Sequence, residues 1–154
     1  MRWLRSVFPD SRVHLTHVWN DWSRHNDVHT SAIKPPSAGS EGIVIYSTLY
    51  PLIAENMELW KNNDWKFIEC PLSSAPFFSP NCGKDDDLTL NFLSLSETCI
   101  LIEESEVALY KILEDLNFDV ITVPLRTIKE FGGSIHCSTL EIKRDDECKD
   151  YFPN

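Results

Sequence analysis

The feature that most constrains this chain is a pattern of apolar runs that occurs twice. In the first copy, strand-like Val28 to Ile33 leads into Gly42-Ile43-Val44-Ile45-Tyr46. A helix-like stretch from Pro51 to about Asn62 follows, with Leu52, Ile53, Met57, Leu59 and Trp60 as its apolar residues. Trp65-Lys66-Phe67-Ile68-Glu69-Cys70-Pro71-Leu72 closes the copy. The second copy runs Leu90 to Leu95, Cys99-Ile100-Leu101-Ile102-Glu103, a helix from Glu106 to Leu116, and Val120-Ile121-Thr122-Val123-Pro124-Leu125. Short runs rich in β-branched residues predict strands, and apolar residues at helical spacing predict helices. Each copy is therefore strand, strand, helix, strand, an α/β unit, over about 25–72 and 88–125. Such a unit cannot bury its apolar face alone, so several must stack or close.

In the second helix Val107, Ala108, Tyr110, Lys111, Ile112, Leu113 and Leu116 place an apolar stripe on one side, with Glu114 and Asp115 outward. Ser105 is the expected N-cap. Between the copies, residues 73–87 are rich in Pro, Ser and Asp, with Phe77-Phe78 embedded, and read as a long surface loop. Lys34 to Glu41 is a shorter one. Near the start, Trp3, Leu4, Val7 and Phe8 have the spacing of a helix stopped by Pro9-Asp10, and Arg12 to Val18 alternates as a strand. A helix stub and a strand with no visible partner point to a chain that is the later part of something longer.

Composition narrows the class of partner. With 42% hydrophobic residues in 154, the chain can bury the core of one domain. A net charge of -10 argues against nucleic acid and anionic membranes. It suits solubility and, loosely, a cationic substrate. No apolar run approaches membrane-spanning length, and no signal peptide is apparent. Cysteines 70, 82, 99, 137 and 148 form no CxxC, so neither a zinc site nor a disulfide framework is expected. Asp85-Asp86-Asp87 has the charge for a metal, but such a run in a loop is ordinarily solvated; no metal or cofactor is expected.

Two stretches carry chemistry. Phe131-Gly132-Gly133-Ser134-Ile135-His136-Cys137-Ser138-Thr139 has adjacent glycines that open backbone conformations closed to other residues. It reads as a tight loop delivering Cys137 to the mouth of a strand through Leu140 and Ile142. Taken alone it is more simply a glycine turn before an ordinary strand with a buried cysteine. In an extended chain His136 points away from Cys137 and serves to pack or fix the loop. The other stretch is Arg24-His25-Asn26-Asp27-Val28-His29-Thr30. His25 and Asp27, two apart in extended backbone, face the same side, which suits a base beside a cation-holding carboxylate or simply a polar loop between strands.

The stretch from Gly132 to Leu140 resembles the C-terminal cysteine motif of the amidinotransferases, the glycine and inosamine-phosphate amidinotransferase family of the pentein superfamily. The likeness continues through Glu141-Ile142-Lys143-Arg144 and into Asp150-Tyr151-Phe152-Pro153. The family also has a His-x-Asp motif ahead of a Gly-Ile/Leu-Val-Leu strand, where this sequence has His25-Asn26-Asp27 and Gly42-Ile43-Val44-Ile45. The resemblance implies a partial α/β propeller. The chain, residues 1–154, would be the C-terminal part of one propeller domain whose N-terminal modules are missing. It also implies a transferase passing an amidino group from arginine to an amine acceptor.

On that resemblance Cys137 is the nucleophile, His25 the general acid and base, and Asp27 the guanidinium-binding carboxylate. His29 has no role in it, and Asn91 resembles the Asn of the family's Ser-Met-Asn stretch, with a structural part to play. The partners implied are a small-molecule guanidino donor and an amine acceptor; a homodimer is one assembly the family allows. Cytoplasm or mitochondrion is expected over secretion. Three departures bear on this. The carboxylate that orients the histidine lies upstream of this chain. Ser134 replaces a third glycine, which strains the loop if that position needs a positive φ. Tyr50-Pro51 stands where the family tends to have Arg-Pro. The alternatives left open are a guanidine-hydrolysing deiminase relative and an inactive remnant acting as a binding or subunit-interaction module.

Overall fold

Both copies of the repeat fold to one topology. The structure, a computed structural model, describes residues 2–10, 26–49, 54–72, 88–144 and 150–153. In the first unit β1 (Thr30–Lys34) runs antiparallel to β2 (Gly42–Ser47), with Thr30 opposite Tyr46 and a register shift between Ala32 and Lys34. Helix α2 (Ala54–Lys61) crosses over, and β3 (Trp65–Cys70) lies parallel to β2, Gly42 opposite Trp65 and Ser47 opposite Cys70. The second unit repeats this with β4 (Leu93–Ser94), β5 (Cys99–Glu103), α3 (Val107–Asp115) and β6 (Asp119–Val123). A parallel pair needs a crossover connection, which is why a helix sits between the second and third strand of each unit. The helix predicted at the start is Arg2–Val7, here α1; the strand predicted over 12–18 lies outside the described residues.

The central strands β2 and β5 are the most apolar and the most buried, as expected for strands covered on both faces. One core serves both units: Ile33, Ile45 and Cys70 pack with Leu90, Phe92, Ile100, Ile102, Leu109, Leu113 and Phe118. Leu109 and Leu113, both fully buried, are the anchors of α3; burying each is worth about 1.5–3 kcal/mol. This corrects the expected stripe, which omitted Leu109 and included Val107, half exposed at the first turn. Ser105 is not the N-cap either. Glu106 occupies that position without a side-chain cap, its carboxylate being taken by Thr89 and Lys129, while Ser105 Oγ turns back to the Glu103 carboxylate.

Two predicted strands are shorter than expected. Residues 26–28 form a 3₁₀ turn, and β1 starts only at Thr30. Thr89 to Phe92 are buried but not in a strand; pairing begins at Leu93. The strand expected after Cys137 is absent. Residues 139–144 are outside any helix or strand, and Leu140 and Ile142 are 85% and 91% exposed. Among the described residues there are two separate three-stranded sheets and no closed one.

The C-terminal tail returns to the first unit. Trp65 Nε1 donates to the Tyr151 carbonyl at 3.2 Å, and Phe152 stacks on Trp65 while meeting Trp60 edge-on. Such ring pairs add about 0.5–1.5 kcal/mol beyond the area they bury. Among the described residues, no helix is long and apolar enough to cross a membrane.

Candidate active site

After β6 the chain enters a 3₁₀ turn, Arg126–Phe131, that stops at Gly132 with φ of 82°. A left-handed residue there is the usual way for a helical turn to end, and glycine adopts it without a Cβ penalty. Gly133 is needed for a different reason. A Cβ on it would lie 2.6 Å from Cys137 Cβ and 3.2 Å from its Sγ. The second glycine is thus the space into which Cys137 folds. Ser134 has no positive φ, so the strain expected of it does not arise; it is buried, and its carbonyl accepts from Ser138 Oγ at 2.6 Å.

Residues His136–Ser138 form a second 3₁₀ turn. The backbone here is helical rather than extended, so the extended geometry expected to turn His136 away from Cys137 does not hold, while its N–H does help to fix the loop by bonding the Asn91 carbonyl. Its ring is more than half exposed, and Nδ1 lies 3.4 Å from Asp27 Oδ2. Cys137 is also exposed and carries a free thiol.

Asp27 lies on the 3₁₀ turn ahead of β1 and is brought to the same place. Its Oδ2 accepts a 2.7 Å hydrogen bond from Asn91 Nδ2. Asn91 Oδ1 accepts from the backbone N–H of Ser134 at 2.8 Å and of Cys137 at 3.2 Å. The Asn91 carbonyl takes the N–H of His136 at 3.1 Å. One carboxamide therefore touches both the predicted guanidinium-binding carboxylate and the loop of the predicted nucleophile. The shared-face geometry expected of His25 and Asp27 assumed extended backbone, which residues 26–28 lack; His25 itself lies outside the described residues. So do Asp85, Asp86 and Asp87. Tyr50 is likewise outside them.

Asp27 and His136 open onto a cavity of about 350 Å³ that Ser31, Leu93, Glu141 and Arg144 also line. Arg144 is held by Glu141 at 3.1 Å and by the Ser94 carbonyl at 2.8 Å. His29, one turn from Asp27, is buried, and desolvation lowers its pKa below the usual histidine value while the Asp27 charge opposes the shift. Among the described residues no group of three His, Cys, Asp or Glu is placed to hold a metal ion.

Behind the loop lies a buried ionic cluster that gave no warning in the sequence. Lys129, three residues before Gly132, contacts the carboxylate of Glu106 and lies 3.4 Å from Glu103 Oε2. Thr89 Oγ1 donates to the same Glu106 at 3.0 Å. The cluster thus ties the segment carrying Asn91 to the turn that feeds the cysteine loop. Glu103 Oε1 has no hydrogen-bond partner among the described residues. Asn91 did leave a trace, a lone amide between Leu90 and Phe92 in a buried run. Buried polar groups are nearly always hydrogen-bonded, so such a residue must be holding something.

Two solved structures superpose on nearly the whole chain. One is an amidinotransferase of the saxitoxin biosynthetic pathway from Microseira wollei, with a TM-score of 0.80 and 22% identity over 98% of this chain and 40% of that one. The other is the inosamine-phosphate amidinotransferase of Streptomyces griseus, at 0.77 and 24% over 98% and 41%. This chain shares its fold with amidinotransferases. Agmatine deiminase from C. jejuni has the fold more distantly, with a TM-score of 0.53 and 15% identity over 89% of this chain and 44% of that one. Curated relatives agree with the first pair. The L-arginine:L-lysine amidinotransferase of Pseudomonas savastanoi pv. phaseolicola is 28% identical over 88 residues, 57% of this chain and 24% of the relative. Inosamine-phosphate amidinotransferase 1 of Streptomyces glaucescens is 27% identical over 90 residues, 56% and 25% respectively. The chain spans about a quarter of these curated relatives and two fifths of the solved amidinotransferases. No family model matches it.

Proposed function

We propose that this chain supplies the nucleophile and the donor-binding carboxylate of a pentein amidinotransferase that uses arginine as its donor. In this reading residues 1–154 are the C-terminal modules of one α/β propeller, and further modules complete the site. The observation that carries it is the Asp27–Asn91–Cys137 linkage, in which a carboxylate and a cysteine loop far apart in sequence share one side chain.

The chemistry fits those groups. A guanidinium carbon is a poor electrophile, and thiolate is the strong nucleophile that suits it. Asp27 clamps the planar cation through charge-assisted hydrogen bonds. The Cys137 thiolate attacks the amidino carbon, forming a C–S bond and a tetrahedral adduct. His25 protonates the departing amine as the C–N bond breaks, leaving an amidino-cysteine. The acceptor amine then attacks that carbon, gives its proton to His25 and expels the thiolate. The amidino group ends on the acceptor, the proton taken from the acceptor replaces the one given to the departing amine, and the thiolate is regenerated, with no redox step.

The test is to incubate the protein with L-arginine, quench in acid and map cysteine peptides by mass. A mass increase of one amidino group is expected on Cys137, absent in Cys137→Ser and strongly reduced in Asp27→Asn. An adduct missing from folded protein that carries the further modules, or found equally on Cys99, would sink the proposal.

A further inference from the structure

We infer that Asn91 is a positioning residue that sets the Cys137 loop against Asp27; this rests on the proposed roles of Cys137 and Asp27. Asn91 is 1% exposed, and its carboxamide is used at both ends. The donor end faces a carboxylate, and the acceptor end faces two backbone N–H groups. The reverse orientation would set oxygen against carboxylate and NH₂ against N–H, so the network itself fixes which end is which. Among uncharged side chains, that demand for donor and acceptor on one short planar group selects asparagine. Leucine satisfies neither end, and glutamine is a methylene too long for a fully buried slot.

Ile135 is buried and Lys129 anchors the turn upstream, but the hydrogen bonds that leave the loop converge on one residue. Downstream, residues 139–144 belong to no sheet and are exposed. Within the loop the bonds from Ser138 to Ser134 and Ile135 stiffen the turn but attach it to nothing outside. Attachment comes from Asn91, through its side chain to Ser134 and Cys137 and through its carbonyl to His136. Asn91 is in turn seated by the bond from its own N–H to the Leu88 carbonyl and by Thr89, which is bound to buried Glu106. The distance between thiol and carboxylate is therefore set in large part through Asn91, beside the direct contact of His136 with Asp27, and fixing such a distance is what preorganised sites require.

The experiment uses a paired probe. 2-Chloroacetamidine carries a cation for Asp27 and an electrophilic carbon for Cys137; 2-chloroacetamide is its neutral counterpart. The ratio of their alkylation rates at Cys137, divided by the same ratio for free cysteine, reads the carboxylate–thiol geometry without needing turnover. Amide hydrogen exchange at Ser134 and Cys137 reads the attachment, with Ile100 and Ile102 in β5 reporting the fold. In wild type the normalised ratio is expected to exceed one. In Asn91→Ala it should fall toward one while the two amides exchange roughly ten- to a hundredfold faster, as expected when a buried acceptor is removed. A ratio that survives Asn91→Ala with β5 intact overturns the inference, as does unchanged protection of the two amides in folded Asn91→Ala. A wild-type ratio no greater than one overturns the proposed function instead, and the catalytic meaning of Asn91 goes with it.

Discussion

Replacing Gly133 with alanine would put a methyl carbon 2.6 Å from Cys137 Cβ. Ordinary van der Waals contact begins at 3.4 Å and extends to 4 Å, so the two atoms must separate by about 1 Å. The contact cannot be relieved by rotating a flexible side-chain end, because the atom that is struck is the first carbon of Cys137. The φ of Gly133 is not positive, so the strain is purely one of space and falls on the backbone of Cys137, the proposed nucleophile. A misplacement of about 1 Å at a reacting centre costs on the order of a hundredfold in rate, about 2.7 kcal/mol of barrier. Overpacking costs a further ~1–3 kcal/mol of stability. The assay is the rate of amidino-adduct formation on Cys137, with thermal unfolding measured alongside. Gly133→Ala is expected to slow the adduct by about two orders of magnitude while the protein stays folded at room temperature. A rate within about threefold of wild type, on a scale where tenfold is ~1.4 kcal/mol, would show that the cysteine is not held where the glycine leaves room for it.

Lys129→Met leaves Glu103 and Glu106 buried without their cation and should cost about 3–5 kcal/mol in urea unfolding. Adding Glu106→Gln should recover part of that loss, and a double variant as weak as the single one would argue against the pairing. Leu113→Ala removes a fully buried side chain from α3 and should cost ~2–5 kcal/mol by the same measurement; a loss below about 1 kcal/mol would mean the site collapses to fill the cavity. His29 is held neutral by burial, so its folded pKa lies below the ordinary 6.5. The unfolded chain then binds the proton first, and the contribution of neutral His29, fully present above pH 6.5, is lost as pH falls toward the folded value. Wild type should accordingly lose more Tm than His29→Phe between about pH 7.5 and 5.5; equal losses would reject it.

The repeat was legible because its central strands are nearly unbroken apolar runs, and β2 and β5 fall where those runs lie. The ends of elements were not. Val28 looks like a strand residue by type, yet residues 26–28 turn to bring Asp27 to the site. Leu90 and Phe92 are apolar because they are core residues, and burial alone does not say that a strand begins only at Leu93. Leu140 and Ile142 alternate as strand residues do, but alternation becomes a strand only where an edge is available to pair with it. At the site, Asp27 and Cys137 could be named from a motif, whereas the residue that joins them could not be placed. Its role depends on a donor and an acceptor arriving from opposite sides, a fact about three segments at once. The direction of His136 was out of reach for a similar reason: the 3₁₀ turn it lies on, not the strand period, decides where it points.

Each three-stranded sheet closes within one short stretch of chain, by a hairpin and a helical crossover. The contacts that make the site do not: Asn91 reaches back to Asp27 and forward to Ser134 and Cys137, and Tyr151 reaches back to Trp65. Closing a long loop must come before the contact that rewards it, so local pairings form early and distant ones late. The two sheets can therefore assemble while the cysteine loop is still unmoored. Weakening this protein should strip away the site before it melts the sheets, and a preparation with intact far-ultraviolet dichroism can be chemically silent. For a chain of this kind, reactivity of Cys137 is a stricter criterion of native structure than secondary-structure content.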